Sequence, residues 1–175
     1  SKESKAATYI SAALAECGIA TLRFDFTGLG ESEGEFADTN FSSNVGDLVA
    51  AADFLRREHR APQLLVGHSL GGAAVLAAAA AIPETVAVAT LGAPFEPQHV
   101  LRLLKDSAGT LASRGEASID IGGRSFRVRK QFLEDLRERK PGSGVAQLRK
   151  ALLVMHSPRD TVVDIENASA IFAAA

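Results

Sequence analysis

The chain has 175 residues, 46% of them hydrophobic and 23% charged, which is typical of one globular domain with an ordinary core. Its formal net charge of -2 gives no electrostatic reason to expect nucleic acid or an anionic membrane as a partner. The single cysteine, Cys17, excludes an internal disulfide framework, and we expect it to be an inert core residue. The four histidines lack metal-ligand spacing, so we expect no metal and no cofactor.

No segment of the chain is typical of a membrane span. The longest apolar stretch, residues 73–82, is too short for a bilayer, which takes about 20 residues. No signal peptide is visible, although a leader could have been lost before Ser1. We therefore expect a cytoplasmic protein that acts on a small molecule.

Apolar periodicity predicts alternating helices and strands in the first half of the chain. The predicted elements are a helix over residues 4–17, a strand over 19–26, a helix with buried positions from 45 to 55, a strand over 63–67, a helix over 73–81 and a strand over 86–91. Asn44, with Asp47 three residues later, is the predicted cap of the second helix. This alternation predicts an α/β fold with a mostly parallel sheet and helices on both faces.

The pattern changes between residues 97 and 150, where the sequence becomes charged and helical. Two alternating runs flank Gly122-Gly123 and predict a β-hairpin over residues 118–129. An apolar strand over residues 151–155 and a last helix then resume the alternation. We expect residues 1–175 to form a single, partial domain, with residues 97–150 inserted in it as a lid.

The segment LLVGHSLGGAA carries the strongest motif. Ser69 is the centre of Gly67-His68-Ser69-Leu70-Gly71, which fits the G-x-S-x-G pattern of a nucleophile elbow between a strand and a helix. We expect Gly67 and Gly71 to let the strand and the helix approach without a side-chain clash. The Leu70 amide, at the helix N-terminus, is the expected oxyanion donor. The alternative is a glycine-rich helix start capped by a serine.

A serine nucleophile needs a histidine base and an acid that orients the base. Asp160 lies in a loop after the strand predicted over residues 151–155, at the sheet edge where Ser69 is expected, and is our candidate acid. The alternative for Asp160 is a simple turn residue.

None of the four histidines is predicted to be the base, which follows the acid in this kind of site. His156 precedes Asp160 in the chain and is expected to stabilise the loop. His68 adjoins the serine and is expected to line the site. His59 and His99 are expected at the surface or in loops.

Three segments, LRFDFTGLGESEG, LLVGHSLGGAA and LLVMHSPRDTVVDIENA, together resemble the α/β-hydrolase superfamily nearly end to end. The resemblance implies a serine hydrolase in which Asp25 and Gly28 shape the site without reacting. More narrowly, IDIGGRSFRVRKQFLEDL and HSPRDTVV are similar to bacterial proteins in which a hydrolase domain precedes an OsmC-like peroxide-reducing domain. That similarity implies a fused C-terminal redox domain.

The resemblance also has gaps. In the superfamily the catalytic histidine follows one more strand beyond the helix after Asp160, which places the base beyond Ala175. The first strands, and the loop with the second oxyanion donor, would precede residue 1. We therefore expect residues 1–175 alone to hydrolyse activated esters no faster than a Ser69→Ala control, and to aggregate through unpaired sheet edges.

Three functions remain open from the sequence. The one we favour is a serine hydrolase that cleaves an ester, thioester or amide of a small substrate through an acyl-enzyme. The second is a non-catalytic module that binds a ligand or a protein in the same cleft. The third is the redox-linked hydrolase part of a fusion protein. A histidine in the next strand and loop, or a cysteine pair in a downstream domain, would separate them.

Overall fold

The computed structural model describes residues 2–103, 108–121, 124–139 and 142–175. Its helices are α1 (Lys5–Glu16), α2 (Phe41–Glu58), α3 (Leu70–Ala78), α4 (Val100–Leu103), α5 (Ala108–Arg114), α6 (Lys130–Glu138), α7 (Ser143–Ala146) and α8 (Glu166–Ala174). Its strands are β1 (Leu64–His68), β2 (Ala87–Leu91), β3 (Glu116–Ile121), β4 (Arg124–Arg129) and β5 (Ala151–Met155). Short 3₁₀ turns occur at Phe36–Asp38, Ala79–Ala81 and Pro97–His99. No helix in these ranges is both long and apolar enough to cross a membrane.

The sheet at the centre of the fold has the strand order β1-β2-β5, and both pairs are parallel. Helix α3 connects β1 to β2, and the long segment that includes the β3-β4 hairpin connects β2 to β5. The carboxyl ends of the three strands therefore lie at one edge, where His68, Leu91 and Met155 are in register. The predicted α/β class with a parallel sheet is confirmed.

The two faces of this sheet differ in burial. Leu65 and Val88 point to one face and pack in the main core with residues of α2 and α3. On the other face Leu64, Val66 and Leu153 are each more than a third exposed. Helix α1 has no buried residue. The main core therefore lies against the first face of the sheet.

The predicted strand over residues 19–26 is not a strand. The segment is extended, but no strand among the described residues pairs with it, and Ile19 and Leu22 are 47% and 42% exposed. An apolar composition favours a strand only where a neighbour can receive its backbone hydrogen bonds. Cys17, at the end of α1, is likewise exposed and not in the core, because the apolar positions of α1 are not buried.

Helix α2 begins earlier than the sequence predicted. Asn40, and not Asn44, is its cap: the Asn40 side chain accepts from the Ser43 amide at 2.7 Å, and the Ser43 hydroxyl accepts from the Asn40 amide at 3.0 Å. Asn44 is buried inside the helix. The Asp47 carboxylate instead accepts from the Thr27 amide at 2.9 Å and from the Thr27 hydroxyl at 3.0 Å. Asp47 therefore fixes the loop before α2.

The insertion packs tightly against the rest of the chain. The predicted hairpin is confirmed as the antiparallel pair β3-β4, while Gly122 and Gly123 lie outside the described residues. Phe132 and Leu136 of α6 are buried in the main core. Polar contacts add to this packing, because the Asp135 carboxylate accepts from the Ser42 amide at 2.8 Å and also from the Ser42 hydroxyl.

Candidate active site

Ser69 occupies the corner between β1 and α3 with φ 54° and ψ -131°, a backbone conformation that residues other than glycine rarely adopt. Such backbone costs on the order of 1–3 kcal/mol and persists only where the surroundings enforce it. Here the Ser69 amide donates to the Leu91 carbonyl at 2.9 Å, and the Ser69 carbonyl accepts from the Gly72 amide at 2.8 Å. The half-buried serine is thus held at the carboxyl edge of the sheet, with the start of α3 directly behind it.

Two glycines allow α3 to pack closely against the ends of β1 and β2. A Cβ on Gly67 would lie 2.3 Å from the Gly71 carbonyl oxygen, and a Cβ on Gly72 would lie 2.5 Å from the Cβ of Ala93. A Cβ on Gly71 would meet no atom within 4 Å. The close-approach role predicted for Gly67 and Gly71 therefore belongs to Gly67 and Gly72.

We expect Gly67→Ala to destabilise the protein and Gly71→Ala not to. The new methyl group at position 67 meets backbone, and overpacking of this kind costs about 1–3 kcal/mol or more. At position 71 alanine has space and gains up to about 1 kcal/mol of helix propensity. Urea denaturation of the two variants measures the difference. Equal destabilisation by both substitutions would contradict the assigned packing.

Asp160 lies in the loop between β5 and α8, where main-chain amides hold its carboxylate. Its Oδ1 accepts from the Val162 amide at 2.9 Å and from the Val163 amide at 3.0 Å. The Val163 amide and then the Val162 amide hold the pKa of Asp160 below its ordinary value, against the desolvation that would raise it. Asp160 is therefore an ionised acceptor at neutral pH.

Leu91 and Gly92, at the end of β2, contact both the serine corner and the acid loop. Leu91 accepts the Ser69 amide hydrogen bond, while a Cβ on the next residue, Gly92, would lie 3.0 Å from Asp160 Oδ2. Gly92 has φ 51°, and its amide donates to the Met155 carbonyl at 2.9 Å. The carboxyl ends of all three parallel strands thus meet where Ser69 and Asp160 are placed.

Two histidines bind the loop that holds Asp160. His156 Nε2 lies 2.7 Å from the Val163 carbonyl oxygen and 3.7 Å from Asp160 Oδ2, and its side chain is only 1% exposed. This contact agrees with the expected loop-stabilising role of His156. His99 Nε2 lies 2.7 Å from the Val162 carbonyl oxygen, a contact that the sequence analysis did not predict.

The other two histidines lie elsewhere. His68 is exposed on β1 beside Ser69, and its charged form would help to lower the pKa of Asp160 after the stronger effects of the Val163 and Val162 amides and of His156. His59 follows the C-terminus of α2 and packs edge-on against Phe54. No group of three or more potential metal ligands occurs among the described residues.

Asp25 and Gly28 shape the loop before α2. Asp25 is 6% exposed, and its carboxylate accepts from the Lys2 amide at 2.8 Å and from the Glu31 amide at 3.2 Å. Gly28 has φ 74°, and a Cβ there would lie 2.1 Å from the Phe36 amide nitrogen. Both residues have structural contacts, and their influence on the site stays a prediction.

A cavity of about 540 Å³ adjoins the acid loop. It lies between the segment after β2 and the start of α8, and His99, whose ring binds the Val162 carbonyl, is part of its wall. The lining residues are Phe95, Glu96, Gln98, His99, Asp164, Glu166, Asn167 and Ala170. An aromatic ring and several carboxylates therefore face a small space next to the candidate acid.

Residues 2–141 match the family model described as serine aminopeptidase, S33. The chain belongs to this family. Its α/β-hydrolase membership agrees with the parallel sheet and with the serine at the corner between β1 and α3. The superfamily resemblance inferred from the sequence is thus confirmed.

Solved structures share the family fold over essentially the whole chain. The esterase domain of a Rhodothermus marinus protein is 52% identical, with a TM-score of 0.77, and the match covers 100% of this chain and 68% of that one. Est1E from Butyrivibrio proteoclasticus, solved with ferulic acid bound, is 22% identical, with a TM-score of 0.79 and coverage of 99% and 70%. At that lower identity the likeness concerns the fold alone.

Among curated proteins, the rat (Rattus norvegicus) palmitoyl-protein thioesterase ABHD10, mitochondrial, is 40% identical over 75 residues. The human (Homo sapiens) protein of that name is 41% identical over the same length. These matches cover 43% of this chain, and 24% of the rat protein and 23% of the human protein. The matched segment therefore spans about a quarter of each curated relative.

Proposed function

We propose that the protein is a serine hydrolase that cleaves a small ester or thioester through an acyl-enzyme, with Ser69 as nucleophile and Asp160 as the acid that orients the base. The observation that carries this proposal is the backbone of Ser69, held at φ 54° between β1 and α3. A residue with a side chain in this conformation is a sign of a functional site. Together with Gly67 and Gly72, it has the geometry of a nucleophile elbow.

The proposed reaction has two halves. The Ser69 hydroxyl oxygen attacks the substrate carbonyl while its proton passes to the base, and the base then protonates the departing alcohol or thiol. In the second half the base takes a proton from water as the water oxygen attacks the carbonyl of the Ser69 ester, and the base then returns that proton to the Ser69 oxygen as the acid product leaves. The oxyanion formed in each half accepts a hydrogen bond from the Leu70 amide, because the first amides of a helix have no acceptor within that helix.

We propose that the base comes from outside residues 1–175. Nε2 of His99 and of His156 each lies at hydrogen-bond distance from a loop carbonyl. His59 packs against Phe54 at the end of α2, and His68 is the direct neighbour of the serine. A base must lie within about 2.6–3.2 Å of the serine hydroxyl, with its other nitrogen toward the acid. On this proposal, residues 1–175 alone do not hydrolyse the substrate.

The similarity to known proteins supports the substrate class. One structural relative at 52% identity is an esterase domain, and a curated relative that matches 75 residues is a palmitoyl-protein thioesterase. The cavity beside the acid loop has a volume of about 540 Å³, and Glu96, Asp164 and Glu166 line it. We propose that this cavity receives the acyl part of the substrate. Its carboxylates disfavour anionic substrates, so the proposed substrates are neutral acyl esters or thioesters. A fluorophosphonate that labels Ser69 in the full-length protein tests the nucleophile directly.

We further propose that residues 97–150 control access of the substrate. Asp135 on α6 binds the start of α2 through Ser42, so Asp135→Ala should loosen this contact. The expected result is a changed KM for 4-nitrophenyl esters of different chain length, with Ser69 still labelled by a fluorophosphonate, because lids affect substrate choice more than chemistry. Glu138→Ala on the same helix is the control. Unchanged preference together with normal stability in Asp135→Ala would contradict the lid role.

A further inference from the structure

The Asp160 carboxylate accepts hydrogen bonds from the main-chain amides of Val162 and Val163. The Val162 carbonyl and the Val163 amide belong to one peptide group, and that group has a partner on each side. His99 Nε2 lies 2.7 Å from its oxygen, and Asp160 Oδ1 lies 3.0 Å from its nitrogen. A carbonyl oxygen can only accept, so His99 donates through Nε2–H. The result is one chain of hydrogen bonds from the His99 ring through a peptide group to the acid.

The next peptide group is held in the same way. His156 Nε2 lies 2.7 Å from the Val163 carbonyl oxygen and must therefore be the donor. The His156 side chain is 1% exposed, and its Nδ1 is buried with no hydrogen-bond partner among the residues the structure describes. With Nε2–H directed at the Val163 carbonyl, the buried His156 ring is held in one orientation.

We propose that His99 and His156 are positioning residues for the acid: they hold the two peptide groups on either side of Val163 and so fix the Asp160 carboxylate toward the base. This inference rests on the proposed function of Asp160. A hydrogen bond donated to a peptide carbonyl polarises that peptide and makes its N–H a stronger donor. His99 thereby strengthens the hydrogen bond from the Val163 amide to the Asp160 carboxylate. His156 keeps the peptide group after Val163 from rotating out of its position in the loop.

The hydrogen bonds of His99 and its neighbour Gln98 connect the acid loop to the end of α6. Gln98, the neighbour of His99, donates from Nε2 to the Arg139 carbonyl at 2.9 Å, just beyond α6. The turn at Pro97–His99, where the insertion begins, therefore contacts the end of α6 on one side and the acid loop on the other. A donor that is fixed at both ends can hold the acid loop in one conformation.

The test compares donor-retaining and donor-free variants of the full-length protein, with 4-nitrophenyl butyrate as substrate. His99→Gln and His156→Gln keep an N–H donor, whereas His99→Leu and His156→Leu lose it. We expect the leucine variants to lower kcat by up to about 10²-fold with little change in KM, as small misplacements of catalytic groups do, and the glutamine variants to recover most of that loss. The acidic limb of the kcat/KM profile should move to lower pH only in the leucine variants, because a displaced carboxylate no longer favours the protonated base.

Each leucine substitution is also made in the Asp160→Asn background. If the histidines act through Asp160, their removal there should change kcat by no more than about twofold, a strong departure from additivity. Equal losses in both backgrounds, or no recovery with glutamine, would overturn the proposal. If His156→Leu does not fold, the His99 series decides, since His99 is only half-buried. Normal turnover by Asp160→Asn itself would instead refute the acid assignment, so the two failures are distinguishable.

Discussion

Ser69→Ala in the full-length protein is expected to abolish fluorophosphonate labelling and to lower kcat for 4-nitrophenyl butyrate by about 10⁶-fold, the scale seen when a serine nucleophile is removed. The substitution deletes only the hydroxyl group. The backbone contacts of residue 69 with Leu91 and Gly72 are main-chain hydrogen bonds and should remain. The fold should therefore survive, and thermal unfolding checks that it does.

A matched control is Ser11→Ala, which removes an exposed hydroxyl of α1 that donates to the Thr8 carbonyl. This variant should react with the fluorophosphonate and hydrolyse 4-nitrophenyl butyrate as the unmodified protein does. Mass spectrometry of the labelled peptide identifies the modified residue. Equal labelling of the Ser69→Ala variant would show that another residue is the nucleophile.

Asp160→Asn is expected to lower kcat by up to about 10⁴-fold while leaving the loop folded. The amide oxygen of asparagine can still accept from the Val162 and Val163 amides. Its NH₂ group, however, cannot accept the N–H of a histidine base, so the base is no longer held in the productive tautomer. Steady-state kinetics measure the loss, and Asp53→Asn, an exposed carboxylate on α2, serves as the control. Normal turnover would assign the role to a different carboxylate.

Asp160→Asn should also change how the free energy of unfolding depends on pH. Because the folded-state pKa of Asp160 lies below its unfolded value, the carboxylate contributes stability that is fully present above the unfolded pKa of about 3.9. That contribution is lost as the pH falls through the lower, folded pKa. The difference in free energy of unfolding between the unmodified protein and Asp160→Asn should thus be constant near neutral pH and shrink below about pH 4. Urea denaturation as a function of pH measures it.

The parts of the fold predicted best are those whose signal is local. The pattern around Ser69 predicted a strand, a corner and a helix, and β1 and α3 lie within a few residues of the predicted ranges. Gly122-Gly123 between two alternating runs predicted the hairpin for the same reason. In these segments turn chemistry and side-chain periodicity determine the structure without help from distant residues.

The errors concern features that depend on distant partners. Residues 19–26 have the composition of a buried strand, but pairing requires a neighbouring strand, which composition does not reveal. The motif contains both Gly67 and Gly71, yet only the three-dimensional packing shows that the second glycine in close contact with a neighbour is Gly72, against Ala93, and not Gly71. The bond between His99 and the Val162 carbonyl joins residues 63 positions apart, and a carbonyl acceptor leaves no mark in the sequence.

Main-chain groups position the Asp160 carboxylate, so its position does not depend on which side chains residues 162 and 163 carry. Its partners at residues 162 and 163 are amide groups, which every residue except proline supplies. Val162 is 51% exposed, whereas Val163 is buried at 3%. Position 162 can therefore vary widely through evolution and alter the surface beside the cavity, while the charge at Asp160 stays where it is. In a laboratory library, position 162 is accordingly a place to diversify and position 163 one to keep apolar.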